Sequence, residues 1–187
     1  AASLVKKAGH KVVVDDDQFR NSKDHESYLK SLKDTHNKPD FVFVRSSLPS
    51  LDSDLNIVEK IKYFWPDITF YVFGPLFSSQ ELVDYVKGKK LFDGIVISEI
   101  ESVIIDIIEK QDVKSISGLY YLNMHGSYVC DKPDRKLVDM EKLPFLAYEL
   151  VDYKKIDRFI IQTSRGCPKA CNYCPYYLAQ GNMFRAM

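Results

Sequence analysis

The chain has 187 residues, with 26 basic and 26 acidic side chains and 45% hydrophobic residues. That length suits one full domain plus something smaller, and the hydrophobic content suits a globular chain able to bury a core; balanced charge argues against a polyanionic partner such as nucleic acid, which a basic excess would attract. No run of about 18 apolar residues is present, so no membrane-spanning helix is expected.

Residues 1–9 read as the end of an amphipathic helix with Gly9 at its C′ position, not as an export signal. Residues 11–14 form a short β-branched run and predict a strand. A polar helix is predicted over 24–34, with Tyr28, Leu29 and Leu32 inward. Residues 41–44 are continuously apolar, the mark of a strand buried on both faces. Asp52 or Ser53 is placed to cap a helix carrying Leu55, Val58, Ile61 and Trp65, which Pro66 stops. A strand over 68–73 ends at Gly74. Ser78 or Ser79 caps a helix through Val86, with Gly88 beyond its end. Residues 94–97 predict another buried strand, and 101–109 another helix.

Strands alternating with helices argue an α/β fold, a doubly wound parallel, Rossmann-like sheet with right-handed crossovers. Such a domain ordinarily begins with a strand, so one further strand and its loop are expected upstream of residue 1. From residue 111 the texture changes. Residues 118–130 alternate around a turn at His125–Gly126 and predict a β-hairpin. Residues 131–155 carry Pro133 and Pro144 without a sustained period and read as a connector. Residues 159–163 predict a buried strand running into a cysteine cluster. Three segments follow: a sheet domain over 1–114, a hairpin and connector over 115–155, and the start of another domain over 156–187.

Three of the four cysteines fall within eight residues, as Cys167-Pro168-Lys169-Ala170-Cys171-Asn172-Tyr173-Cys174. Disulfide frameworks spread cysteines along small secreted chains. A tight cluster instead points to a metal site in a reducing compartment, with the cytoplasm the expected location. Thiolates suit iron–sulfur clusters and zinc. A four-iron cubane held by three cysteines keeps one iron open, the mark of a reactive site, as an open position is for catalytic zinc. Closed zinc sites want four ligands, and the other candidates are the distant Cys130 and His125.

The spacing resembles the radical S-adenosylmethionine superfamily, whose signature is C-x3-C-x-aromatic-C, with Tyr173 at the aromatic position. The flanking Thr163-Ser164-Arg165-Gly166-Cys167-Pro168, the run Cys174-Pro175-Tyr176-Tyr177-Leu178-Ala179-Gln180-Gly181 with Phe184 and Arg185, and the proline link Leu143-Pro144-Phe145 resemble its cobalamin-dependent branch. Ile97-Ser98-Glu99-Ile100-Glu101 stands where that branch commonly has G-E-G-E, and here its glycines are replaced; Phe73-Gly74-Pro75 stands where it commonly has a double glycine, and here only one remains.

The resemblance implies that Cys167, Cys171 and Cys174 ligate a [4Fe–4S] cluster, that Tyr173 lies beside the adenine of S-adenosyl-L-methionine, and that the sheet domain binds cobalamin. It implies a 5′-deoxyadenosyl radical generated at the cluster. It further implies methyl transfer to an unactivated carbon, or ring formation or rearrangement in the same branch. A small-molecule substrate and an electron donor would be the partners. A zinc-stabilised, non-catalytic binding module is the reading from another class.

In open α/β sheets ligands lie at the carboxyl ends of the strands. Here those ends are 15–17, 45–50, 74–78 and 98–99. The cobalamin candidates are therefore Ser46, Ser47, Leu48, Gly74, Pro75, Leu76, Ser98 and Glu99. Asp34-Thr35-His36-Asn37-Lys38-Pro39 approaches the D-x-H-x-x-G cobalamin motif but has proline for glycine and precedes a strand, at the wrong edge. Arg165 and Arg185 are candidates to meet a carboxylate or phosphate, or to form surface ion pairs. Cys130 and the hairpin tyrosines read as packing residues. A complete β/α barrel takes around 200 residues, whereas about 30 follow the connector. The expectation is a fragment cut at both ends, holding only the first strand and cluster loop of a barrel and inactive by itself.

Overall fold

In a computed structural model of the chain, residues 1–15, 38–110, 112–151, 161–169, 171–174 and 176–187 are described. The predicted helix over 24–34 and the motif around His36 lie outside them. Helix α1 (Ala2–Lys7) ends with Lys6 and Lys7 in its last turn, where cations complement the helix dipole, and Gly9 follows at φ +94°. Strand β1 (Phe41–Arg45) leads to helix α2 (Leu51–Phe64), and strand β2 (Thr69–Phe73) to helix α3 (Gln80–Lys89). Strand β3 (Gly94–Val96) is followed by a 3-10 turn and helix α4 (Ile104–Glu109).

β1, β2 and β3 are parallel neighbours in that order. The hairpin continues the same sheet: β4 (Leu119–Leu122) pairs antiparallel with β3, and β5 (Tyr128–Val129) antiparallel with β4. The sheet is thus mixed, not wholly parallel: the hairpin read as lying beyond the sheet supplies two of its five strands among the described residues. A return by a short hairpin can only give antiparallel pairing, since a parallel return needs a crossover of a dozen or more residues.

Side chains alternate across a strand, and both faces of the sheet are covered. Phe70, Val72 and Ile95 pack on one face with Leu51, Leu55 and Val58 of α2 and Val83 and Val86 of α3. Tyr71, Val96 and Leu119 pack on the other with Val5 of α1 and Ile104 and Ile107 of α4. Burial on two faces is why these strands read as unbroken apolar runs.

Several local expectations are corrected. Residues 11–14 are not a strand: they join no ladder, and Val13 is 52% exposed, so only Val12 contributes to packing. The cap of α2 is Ser50, ahead of Asp52 and Ser53, which instead stand in the first turn. Gly88 lies inside α3, and it is Lys90, at φ +53°, that takes the left-handed position at the helix end. The described part of 159–163 is not a buried strand: Ile161 is 69% exposed. The extended segment begins one residue later, as β6 (Ser164–Arg165), which pairs antiparallel with β7 (Arg185–Ala186) in a separate two-stranded ribbon. Among the described residues this ribbon has no parallel neighbour of the kind a barrel strand would have. Between its strands lie the cysteines and a short helix α5 (Tyr176–Gln180).

Candidate functional site

The carboxyl ends of β1, β2 and β3 share one edge of the sheet because the strands are parallel. After β1, Ser46 is buried; its backbone N–H donates to the Phe73 carbonyl at 2.8 Å and its hydroxyl to Asp54 Oδ2 at 2.6 Å. Ser47 and Ser50 bond each other through backbone and hydroxyl groups, and Leu48 is 66% exposed. After β2, Gly74 takes φ +151°, and a Cβ there would lie 2.0 Å from the Ser46 carbonyl oxygen. Only glycine lets the two loops approach this closely. Pro75 opens a 3-10 turn, Pro75–Ser78, in which Leu76 is buried; α5 packs against that turn.

After β3 the chain makes its densest polar network. The Ser98 hydroxyl donates to the Ser117 carbonyl at 2.9 Å and accepts from the Lys136 N–H at 2.8 Å. Glu99 is buried, and its carboxylate accepts from the Val138 N–H at 2.7 Å and from both terminal nitrogens of Arg185 at 2.8 and 2.7 Å. Glu101 accepts both terminal nitrogens of Arg165 at 3.1 and 3.0 Å, and Arg165 also stands 3.6 Å from Glu99. Burial pushes the Glu101 carboxyl up, but the hydrogen-bonded Arg165 guanidinium holds it below its ordinary range. Arg135 donates to the Ile97 carbonyl and to the Leu178 and Ala179 carbonyls of α5.

These bonds tie the sheet edge to the cysteine loop. The loop is closed at its base by the β6–β7 ribbon and by the Cys167 N–H, which donates to the Gly181 carbonyl at 3.1 Å. Gly166, at φ +84°, passes so near that a Cβ would lie 1.9 Å from the Met183 carbonyl oxygen. Cys171 and Cys174 stand on one tight turn, the Cys174 N–H donating to the Cys171 carbonyl at 3.0 Å. All three cysteines are free thiols and half-buried, as is Cys130. Tyr173 is 89% exposed.

Among the described residues, no three Cys, His, Asp or Glu side chains converge closely enough to hold a metal ion. The donor chemistry nonetheless suits an iron–sulfur cluster: three thiols on one loop, none committed to a disulfide. The loop carries the three thiols without gathering them.

The structure therefore places Ser46, Ser47, Leu48, Gly74, Pro75, Leu76, Ser98 and Glu99 along one edge, as the topology rule anticipates. It spends the Ser46, Ser98 and Glu99 side chains on internal bonds. The pairing of Glu101 and Arg165, of Glu99 and Arg185, and the role of Arg135 were not legible in the sequence. The signal nearest to them was the spacing of Glu99 and Glu101 directly after a strand.

What these observations define is an α/β domain with a cysteine loop held on the carboxyl edge of its sheet. No protein-family model and no curated protein matches the chain. Its fold is similar to that of a cobalamin-dependent S-adenosylmethionine radical enzyme, OxsB, whose structure has aqua-cobalamin and S-adenosylmethionine bound; the TM-score is 0.67 at 18% identity. The similarity covers 88% of this chain and 23% of that enzyme's chain. At this identity it establishes the fold, and function rests on the residues.

Proposed function

We propose that this chain is part of a radical S-adenosylmethionine enzyme that also uses cobalamin, with Cys167, Cys171 and Cys174 as the three protein ligands of a [4Fe–4S] cluster. The observation that carries the proposal is the C-x3-C-x2-C loop, with Tyr173 before its last cysteine, on a domain that shares the fold of a cobalamin-dependent radical enzyme. When bound, the cluster would supply the electron that cleaves S-adenosylmethionine; the hard chemistry belongs to the cofactors.

This chain's own residues would bind and orient. The three thiols would ligate iron as thiolates, drawn together by refolding of the short loop between Gly166 and Gly181. Exposed Tyr173 would offer its ring to adenine. The edge formed by Ser46, Ser47, Leu48, Gly74, Pro75 and Leu76 would face cobalamin, its small residues permitting close approach of a large flat ligand. For the whole enzyme, the reaction we propose is methyl transfer to an unactivated carbon of a small-molecule substrate, with an external electron donor.

The test is metal and sulfide analysis after anaerobic reconstitution. Roughly four irons and four sulfides per chain are expected for a cubane cluster. One zinc per chain, with no visible absorption, would overturn the proposal. Cobalamin binding is a separate measurement: a protein that took up the cluster but no cobalamin would refute only the assignment of the sheet edge.

A further inference from the structure

We propose that Glu99 and Glu101 are positioning residues for the cysteine loop, gripping Arg165 and Arg185 at its base and so fixing where the three thiols stand relative to the sheet edge. The inference rests on the proposed cluster-binding role of the thiols and goes beyond it, since neither glutamate is a ligand.

The geometry begins with the ribbon. Arg165 of β6 stands directly opposite Arg185 of β7. Side chains at directly opposed positions share a face, and like charges there repel. This arrangement would weaken an isolated two-residue ribbon. It is compensated from outside: the two carboxylates that follow β3 lie two residues apart in the chain, and each takes one guanidinium in a two-pronged grip. The 3.6 Å approach of Arg165 to Glu99 joins both pairs into a chain of four charges. Arg fits this role and Lys does not, because the planar fork fixes direction as well as distance.

The clasp sits where it governs the loop. Cys167 follows Arg165 by two residues, and all three cysteines lie between the two arginines in sequence. Glu99 is itself held by the Val138 N–H, and Arg185 donates further to the Val138 and Gln180 carbonyls at 2.8 and 2.6 Å. Both glutamates and both arginines are at least 85% buried at their side chains. Little water reaches these pairs to replace a lost partner, so removal of either carboxylate leaves a buried guanidinium unmatched. Apolar packing offers no substitute, for Ala179 is the one buried apolar residue among those described after residue 160.

The experiment combines amide hydrogen exchange with iron analysis on the anaerobically reconstituted protein. The variants are Glu99→Gln with Glu101→Gln, Arg165→Lys as a milder change, and the reversed pair Glu101→Arg with Arg165→Glu. In the double glutamine variant the Cys167 and Met187 amides should exchange at least tenfold faster, with the amides of β2 unchanged. Arg165→Lys should give a smaller increase, and the reversed pair should return the rates to within about threefold of the parent. Iron uptake should persist while the reduction potential of the cluster shifts. Unchanged exchange at Cys167 and Met187 in both the double variant and Arg165→Lys would overturn the proposal, as would equal acceleration in β2. Faster loop exchange in a protein that takes up no iron would support the clasp and refute the cysteine assignment.

Discussion

The sheet and the cysteine loop are stabilised by different physics. The sheet is held by two apolar layers in which Val58, Phe70, Val86, Ile95 and Val96 are wholly buried. Apart from α5 resting on the Pro75–Ser78 turn, the loop has little apolar anchor and is held by three arginines acting on carboxylates and carbonyls. Hydrophobic burial is insensitive to pH and only weakly directional. Ion pairs and charge-assisted hydrogen bonds fix direction but depend on protonation and on every partner being present. The contrast implies that this fold can persist while its cysteine loop is loosened, which is the behaviour the proposed cluster-binding role requires.

The comparison can be broken most forcefully at the core. Phe70→Ala removes a buried ring between β2 and α2 and should cost about 3–5 kcal/mol in urea unfolding. A loss below about 1 kcal/mol would mean that the apolar layers are not what holds the sheet. Glu99→Ala should cost roughly 3 kcal/mol by leaving buried guanidinium charge unpaired, with faster hydrogen exchange confined to residues 164–187 and the Val138 amide that Glu99 holds. Gly74→Ala should cost about 1–3 kcal/mol, because its Cβ would strike the Ser46 carbonyl and the φ of +151° disfavours a side chain; it should also loosen the proposed cobalamin edge.

The smallest effect is that of acid. The folded state holds the Glu101 carboxyl below its ordinary value, so its stabilisation is complete above the unfolded value of about 4.3. It fades as pH falls through the lowered folded value. Protection of the loop amides should therefore drop with acid before that of β2, and Glu101→Gln should remove the Glu101 contribution to this pH dependence.

Much of the fold was legible because periodicity reports burial directly. The runs at β1, β2 and β3 and the i, i+3, i+6 placing of Leu55, Val58 and Ile61 in α2 need no tertiary knowledge. The turn around Gly126 announced the hairpin, but not that β4 would pair with β3, since strand partners are set by topology, not by local pattern. Residues 11–14 misled because β-branched composition gives strand propensity without supplying a partner. The cysteine spacing pointed to a metal site, which the described residues do not assemble. The clasp was not legible, because Glu99 and Arg185 are 86 residues apart in sequence and nothing local marks charges that will meet.

The central claim is that three cysteines hold a cluster with one iron left open. Electron paramagnetic resonance of the reduced, reconstituted protein, recorded with and without S-adenosylmethionine, tests it most directly. The account predicts a [4Fe–4S] signal that changes when S-adenosylmethionine is added and that is absent when Cys167, Cys171 and Cys174 are replaced by alanine. A signal unaltered by S-adenosylmethionine, or retained without the three cysteines, would contradict it.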